Sequence, residues 1–289
     1  MQQTSPIAAS GTLTLGGDLT IYRLGFGAMR LPGRGVWGPS ENKQEALAVL
    51  RRAVELGINF IDTADSYGPE VSEQLIAEAL HPYPKGLVIA TKGGFQRPGP
   101  DQWTPDGRPE HLREALEGSL KRLRLERIDI YQLHTPDPRV PFERSVETLA
   151  QLREAGKIRH IGLSNVDADQ LARARRIVPI VSVQNRYNLV DRSSEDMVNL
   201  CEREGLAFIP WFPLAAGALA RPGGTLDKIA SAHKATSPQI ALAWLLQRSR
   251  TMLPIPGTSK VKHLEESIAA AEIHLSEQEF QELATLRPG

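Results

Sequence analysis

From residue 24 onward the chain alternates between short apolar runs and longer amphipathic stretches. The apolar runs fall at 24–29, 59–62, 87–91, 128–133, 160–163, 181–184, 207–210 and 252–255, each ending in polar, Gly or Pro residues. Runs this short, bounded this way, predict buried strands. Between them, apolar residues recur at three- and four-residue spacing. That pattern predicts helices over 43–56, 70–80, 109–123, 142–154, 168–177, 194–204, 226–233 with 238–247, and 262–271. Local chemistry marks several ends: Gly57 stops the first helix, Pro109 opens the third, and Asp167 is a natural N-cap. Ser276-Glu-Gln-Glu279 is a capping box opening one more helix, to 286. Ahead of the repeating part, residues 11–22 alternate around Gly16-Gly17-Asp18, which predicts a β-hairpin acting as a cap.

Eight strands, each followed by a helix, predict an α/β fold of the (β/α)8 TIM-barrel class, with an N-terminal β-hairpin and an extra C-terminal helix. An open doubly wound sheet would need a glycine fingerprint directly on its first strand-to-helix turn. Residues 33–38, GRGVWG, match that fingerprint in letters only. They do not sit on the strand end, and Pro39-Ser40 falls where the helix should already run. No linker or low-complexity run divides the 289 residues, so one domain over 1–289 is expected.

Composition narrows the class. The chain carries 34 basic and 34 acidic residues, so neither a nucleic-acid nor a membrane partner is indicated. Cys201 is the lone cysteine, which excludes an internal disulfide and suits a reducing compartment. The N-terminus has no basic segment followed by an apolar core, and no apolar run reaches the ~18 residues of a membrane span. A soluble cytoplasmic protein, monomeric or weakly self-associating, is the expectation. The seven histidines form no H-x-H or H-E-x-x-H pair, so no metal site is expected, and no Ser lies in G-x-S-x-G.

Candidate chemistry sits where the strands end. NFIDTADSYG carries Asp62, Asp65 and Tyr67 just past a strand. VIATK then ends in Lys92, IYQLH in His134, IGLSN in Ser164 and Asn165, VSVQN in Gln184 and Asn185, and FIPW in Trp211. A barrel brings all of these to one face. Taken singly, each has a bland reading: Asp62 as a turn former, Lys92 as a surface charge, His134 as a core histidine, Trp211 as packing. Together they read as a proton-donor site. An ammonium favours the phenolate of Tyr67, an Asp fixes the ammonium, and an imidazole orients a substrate oxygen. Such a set can reduce a carbonyl, provided a cofactor brings the hydride. Ser164, Asn165 and Gln184 match the donors and acceptors of a carboxamide, and Trp211 matches a ring-stacking face.

These residues and their contexts carry a resemblance. NFIDTADSYG, VIATK, IDIYQLHTPD, GKIRHIGLSN, VSVQNRYN, PWFPL and IPGTSKVKHLEES resemble the motifs of the aldo-keto reductases, from the hairpin to the last helix. Among these, the chain is similar to bacterial members of the type that includes pyridoxal reductases. The resemblance implies an NADPH-dependent oxidoreductase acting on an aldehyde or ketone, with NADPH/NADP+ bound in extended form. It implies a catalytic tetrad of Asp62, Tyr67, Lys92 and His134, with Tyr67 the general acid. The nicotinamide would meet Ser164, Asn165, Gln184 and Trp211, and the pyrophosphate the backbone of Phe212, Pro213, Leu214 and Gly217. The 2′-phosphate would meet Thr258, Ser259, Lys260 and His263, with Glu266 and Ser267 near the adenine. A non-catalytic NADP(H)-binding regulatory subunit of the same fold is the alternative.

Two departures stand out. Where the family often has two cations for the phosphate, this chain has Gly257 and His263, leaving Lys260 as the expected permanent charge. The chain also ends soon after its last helix, so the substrate is expected to be read by loops 30–42 and 93–108. Trp37, Phe95 and Trp103 are the candidate pocket walls.

Overall fold

The computed structural model describes residues 5–214 and 224–286. The N-terminal hairpin pairs β1 (Thr12–Leu15) with β2 (Leu19–Tyr22), turning at Gly16 and Gly17, both at positive φ. A parallel sheet comes next: β3 (Phe26–Gly27), β4 (Phe60–Asp62), β5 (Val88–Gly93), β8 (Ile128–Leu133), β9 (Ile158–Ser164), β10 (Ile180–Arg186) and β11 (Ala207–Trp211). Helices α1 (Lys43–Glu55), α2 (Val71–Leu80), α3 (Pro109–Leu123), α4 (Phe142–Glu154), α5 (Ala168–Arg175) and α6 (Glu195–Glu204) alternate with these strands. After β11 come α7 (Thr225–Ala232), α8 (Ser237–Arg248), α9 (Val261–Ala269) and α10 (Glu277–Ala284). Asp167 caps α5 and a capping box at Ser276 opens α10, as the sequence predicts; the Asp167 cap is a capping box too, completed by Gln170.

The eighth strand is a correction. The run at 252–255 is not a regular strand; it makes a single parallel bridge, Phe208 to Met252. It nevertheless closes the barrel. Leu253 N donates to Phe208 O on one side, and Gly25 N and Gly27 N donate to Pro254 O and Pro256 O on the other. Pro254 and Pro256 have no N–H to give, so the ladder thins to acceptors there. Loop 93–108 also differs from expectation: it folds as a second hairpin, β6 (Phe95–Gly99) with β7 (Gln102–Pro105).

Two apolar layers hold the barrel. The larger packs the sheet's outer face against the helices. The smaller is the barrel interior, where Phe60, Val88, Ala90, Ile130, Val181, Ala207, Ile209 and Leu253 meet Leu15, Leu19 and Ile21 of the first hairpin. The hairpin therefore plugs the barrel at the end opposite the site. Asp18 pins it to β9 through Arg159 and His160, at 2.8 and 2.6 Å.

Candidate active site

Strand side chains alternate with period two, so the residue two beyond an inward apolar one also points inward. Applied to the interior layer, this rule gives Phe60 then Asp62, Ala90 then Lys92, Ile130 then Gln132, and Ile209 then Trp211. The register confirms the level: Lys92 lies beside Gln132, and Gln184 beside Ser164. The interior thus turns from apolar to polar within one residue pair per strand.

Asp62 is the hub. Its Oδ1 accepts from Lys92 Nζ at 2.6 Å, and its Oδ2 accepts from Gln132 Nε2 at 3.0 Å and Gln184 Nε2 at 2.9 Å. Lys92 Nζ also donates to Thr63 O at 2.9 Å and to Tyr67 Oη at 3.2 Å. All three Lys92 donors are used, and the ion pair is sealed from solvent. Burial works against the Lys92 ammonium, yet Asp62 and Tyr67 hold its pKa above the ordinary value. For Tyr67 burial is the largest influence and pushes the phenol up; Lys92 pulls it down, Asp62 pushes it up, and the net direction is up. Lys92 favours the phenolate as expected, but removal from water outweighs one ammonium already shared with Asp62. Tyr67 therefore holds its proton firmly at neutral pH.

His134 stands beside Tyr67, with ring centroids 5.8 Å apart. Its Nδ1 is 3.3 Å from Ser66 Oγ. Burial, then Lys92 and Arg97, hold the imidazole well below its ordinary pKa, so the ring is neutral. Phe95 and Trp103 enclose it, at 4.7 and 6.2 Å between centroids, and Trp103 also meets Tyr67 at 6.3 Å. These two predicted wall residues reach the site. Trp37 bridges to Gly68, next to Tyr67, and lies under Arg97.

Arg97, which the sequence reading passed over, fastens this wall. It stacks 3.7 Å over Trp103 and donates to the carbonyls of Gly35, Val36, Ser66 and Gln102. Gln132 was missed as well; its one signal was an amide interrupting an apolar strand two residues before His134. Asn185, read as a strand-end candidate, instead ties its own turn to Val166.

A cleft of about 880 Å³ runs from Asp62 and Tyr67, past Trp211, Phe212, Pro213 and Leu214, to Thr258, Ser259, Lys260 and His263. A volume of this size suits a large cofactor. Gly257 forms part of its floor, and a Cβ there would meet Gly27 O at 2.5 Å, so the backbone lies where a side chain could not. The start of α9 faces the same end, offering unpaired backbone N–H groups to an anion. Gly217 lies outside the described residues.

The other predicted contacts are placed less directly. Asn165 is held left-handed, its Nδ2 on His134 O at 3.0 Å and Ser164 Oγ at 3.2 Å, its Oδ1 accepting from Trp211 Nε1 at 3.0 Å. Ser164, Asn165 and Trp211 thus form one linked group, while the Gln184 amide donates to Asp62 Oδ2 and, at 3.5 Å, to Gln132 Oε1. Glu266 and Ser267 sit on α9 outside the cleft lining; the Ser267 hydroxyl bonds back to His263 O at 2.8 Å. Lys260 is corrected in two respects. Its ammonium is paired with Glu45, and it is not the only cation, because Arg30 also lines the cleft, with its Cγ 3.6 Å from the position a Gly257 Cβ would take. Among the described residues no group of His, Cys, Asp or Glu is arranged to hold a metal, and no helix is long and apolar enough to cross a membrane.

A parallel barrel with a Tyr–Lys–Asp–His set at its strand ends, opening on a long cleft, defines a barrel oxidoreductase. Comparison with known proteins makes this specific. The aldo/keto reductase family model matches residues 23–287, and the chain belongs to that family. It is similar to an uncharacterized oxidoreductase of Schizosaccharomyces pombe, 52% identical over 95% of this chain and 89% of that protein. It is also similar to pyridoxine 4-dehydrogenase of Escherichia coli, 45% identical over 93% of this chain and 96% of that protein. A structure of an aldo-keto reductase from Klebsiella pneumoniae in complex with NADPH superposes with a TM-score of 0.81. It is 26% identical over 96% of this chain and 95% of that one.

Proposed function

We propose that this protein reduces an aldehyde or ketone to the alcohol with NADPH, Tyr67 giving the proton. The observation that carries the reading is the buried run Asp62–Lys92–Tyr67, at 2.6 and 3.2 Å, closing the inner end of the cleft. When bound, the cofactor supplies hydride to the carbonyl carbon. Tyr67 Oη holds the proton that passes to the carbonyl oxygen. Lys92, already donating to Tyr67 Oη, steadies the phenolate left behind. Asp62 fixes Lys92, and the amides of Gln132 and Gln184 fix Asp62. His134, kept neutral, directs the substrate oxygen, while Phe95 and Trp103, their rings at 73° to each other, give an apolar aromatic wall.

The fit of NADPH rests on the length of the cleft, the start of α9, and the cations Arg30 and Lys260 at its far end. The solved relative in complex with NADPH supports the same reading. The relative named pyridoxine 4-dehydrogenase makes pyridoxal the first carbonyl to try, and an aromatic wall suits a planar aldehyde. The test is NADPH fluorescence on titration, followed by turnover with pyridoxal and a panel of aldehydes and ketones. Tyr67→Phe should lower kcat by at least ~100-fold, the lower scale of general acid catalysis, while leaving the Kd for NADPH unchanged. NADPH binding with no turnover across the panel would favour the regulatory-subunit reading, and no NADPH binding would overturn both.

A further inference from the structure

Loop 33–38 carries a conformation that its sequence does not favour. Val36 has φ 53, in the left-handed region. A β-branched side chain there crowds its own backbone, so valine is an outlier where Gly or Asn would be ordinary. Such a conformation persists only where the surroundings over-determine it. Here they do. The Val36 carbonyl accepts from Arg97 Nη1 at 3.0 Å and from Gly68 N at 3.1 Å, so both of its lone pairs are used. The Gly35 carbonyl accepts from Arg97 Nη2 at 2.9 Å and from Asp101 N at 3.1 Å. Gly38 N donates to Gly68 O at 2.6 Å, and Gly68 directly follows Tyr67. The loop is therefore pinned to the β6–β7 hairpin on one side and to the Tyr67 motif on the other. A turn alone would be better served by Gly or Asn, so the turn does not explain the valine.

Its side chain does have a place at the site. Val36 is buried in a small apolar cluster with Ala64 and Tyr67, against which Trp103 packs. Of these four described residues, Val36 and Tyr67 line the long cleft, and Ala64 and Trp103 do not. Val36 is thus the apolar side chain of the cluster that a group held at Tyr67 meets from the cleft. We infer that Val36 is a specificity-determining residue: its two methyl groups set how large a second substituent the carbonyl carbon can carry, and so select aldehydes over ketones. The inference rests on the proposed reductase reading and gives it a substrate class. With the carbonyl oxygen at Tyr67 Oη, one substituent lies along Phe95 and Trp103. The other, hydrogen in an aldehyde and carbon in a ketone, comes against Val36. The methyl groups have little room to retreat, because the backbone carbonyl is held twice and a β-branched side chain is stiff about χ1.

The test compares benzaldehyde with acetophenone and isobutyrophenone. Each is measured as kcat/KM with NADPH, and as a dissociation constant in the presence of NADP+, where no reduction can occur. One methylene more or less in an apolar pocket changes discrimination by about 10- to 200-fold. Val36→Ala should therefore raise the ketone-to-aldehyde ratio of kcat/KM by at least ~10-fold, most for isobutyrophenone, and Val36→Ile should lower it by a similar factor. Opposite shifts in the two variants mark a pocket wall; a merely structural position would depress aldehyde and ketone alike in both. Ratios that stay constant, or that move in the same direction in both variants, overturn the inference. The dissociation constants separate it from the reductase reading. If ketone affinity follows the size of residue 36 while no carbonyl is turned over, the pocket assignment stands and the reductase reading falls. Turnover with ratios that ignore residue 36 sinks the inference alone.

Discussion

The two ends of the cleft are built on opposite principles. At the inner end, Asp62 and Lys92 have side chains 2% and 0% exposed, and every polar atom has a partner contributed by another strand. At the outer end, Lys260 is 54% exposed and faces Glu45 at 27%, across a gap between α1 and α9. A charge buried inside costs several kcal/mol if its partner is removed, because water cannot replace what is lost. An exposed pair is worth about 0–1 kcal/mol, because water can. The inner end can hold a phenol, an ammonium and a carboxylate in one fixed geometry. The outer end can adjust to a ligand but discriminates weakly.

Lys92→Met should break the inner end most severely. Asp62 would be left facing two amides with no cation, and Tyr67 would lose its only charged donor. We expect kcat to fall by ~100-fold or more and stability by about 3–5 kcal/mol, read by steady-state kinetics and denaturant unfolding. Near wild-type kcat would remove Lys92 from the mechanism. Asp62→Asn should be milder, about tenfold in kcat, since its oxygen can still accept from Lys92. Its new N–H groups would oppose the donors of Gln132 and Gln184, so a loss as large as that of Lys92→Met would mean that the charge of Asp62, and not its geometry, dominates.

The outer end should respond in binding alone. NADPH should bind at least ~10-fold more tightly than NADH, since one charge-assisted hydrogen bond is worth roughly 1.5–3 kcal/mol. Lys260→Ala should lower that ratio without touching NADH, and the preference left behind measures what Arg30, the hydroxyls of Thr258 and Ser259, and the start of α9 contribute together. Equal dissociation constants in the unaltered protein would refute the NADPH assignment. The smallest effect should come from Glu45→Gln, which frees Lys260 and removes a like charge from the phosphate's surroundings. NADPH affinity should rise about 2- to 5-fold, the scale of an exposed pair, with kcat unchanged.

The strand–helix alternation was legible because each barrel strand is buried on both faces and each helix on one, so periodicity alone distinguishes them. The helices 109–123 and 142–154 and the strand 128–133 appear with the predicted ends. The run at 252–255 shows where that reading fails: apolar content predicts burial, but prolines decide whether the backbone can join a ladder. The hairpin within 93–108 was hidden by Pro98, Pro100 and Pro105, which read as loop punctuation. Asp62, Tyr67, Lys92 and His134 were visible as polar residues ending apolar strands. Gln132 was not, since it lies inside a strand, nor was Arg97, whose role depends on carbonyls up to 62 residues away.

The sequence by itself determined the order of elements, the caps of the helices, and which residues would reach the mouth of a barrel. Those come from local periodicity and side-chain chemistry. What only the tertiary structure decided is how charges are shared. Asp62 and Asp65 stand three residues apart in one short motif and look equivalent as letters. One meets an ammonium and two amides; the other is buried near Glu73 and Arg122, which already pair with each other, and its Oδ1 has no hydrogen-bond partner. The same holds for Lys92 and Lys260, the first locked to Tyr67 and Asp62, the second drawn toward Glu45. Pairing of buried and half-buried charges depends on distances of a few ångströms between segments far apart in the chain, and burial sets the strength of each pair. Neither quantity is written in the local pattern of the sequence.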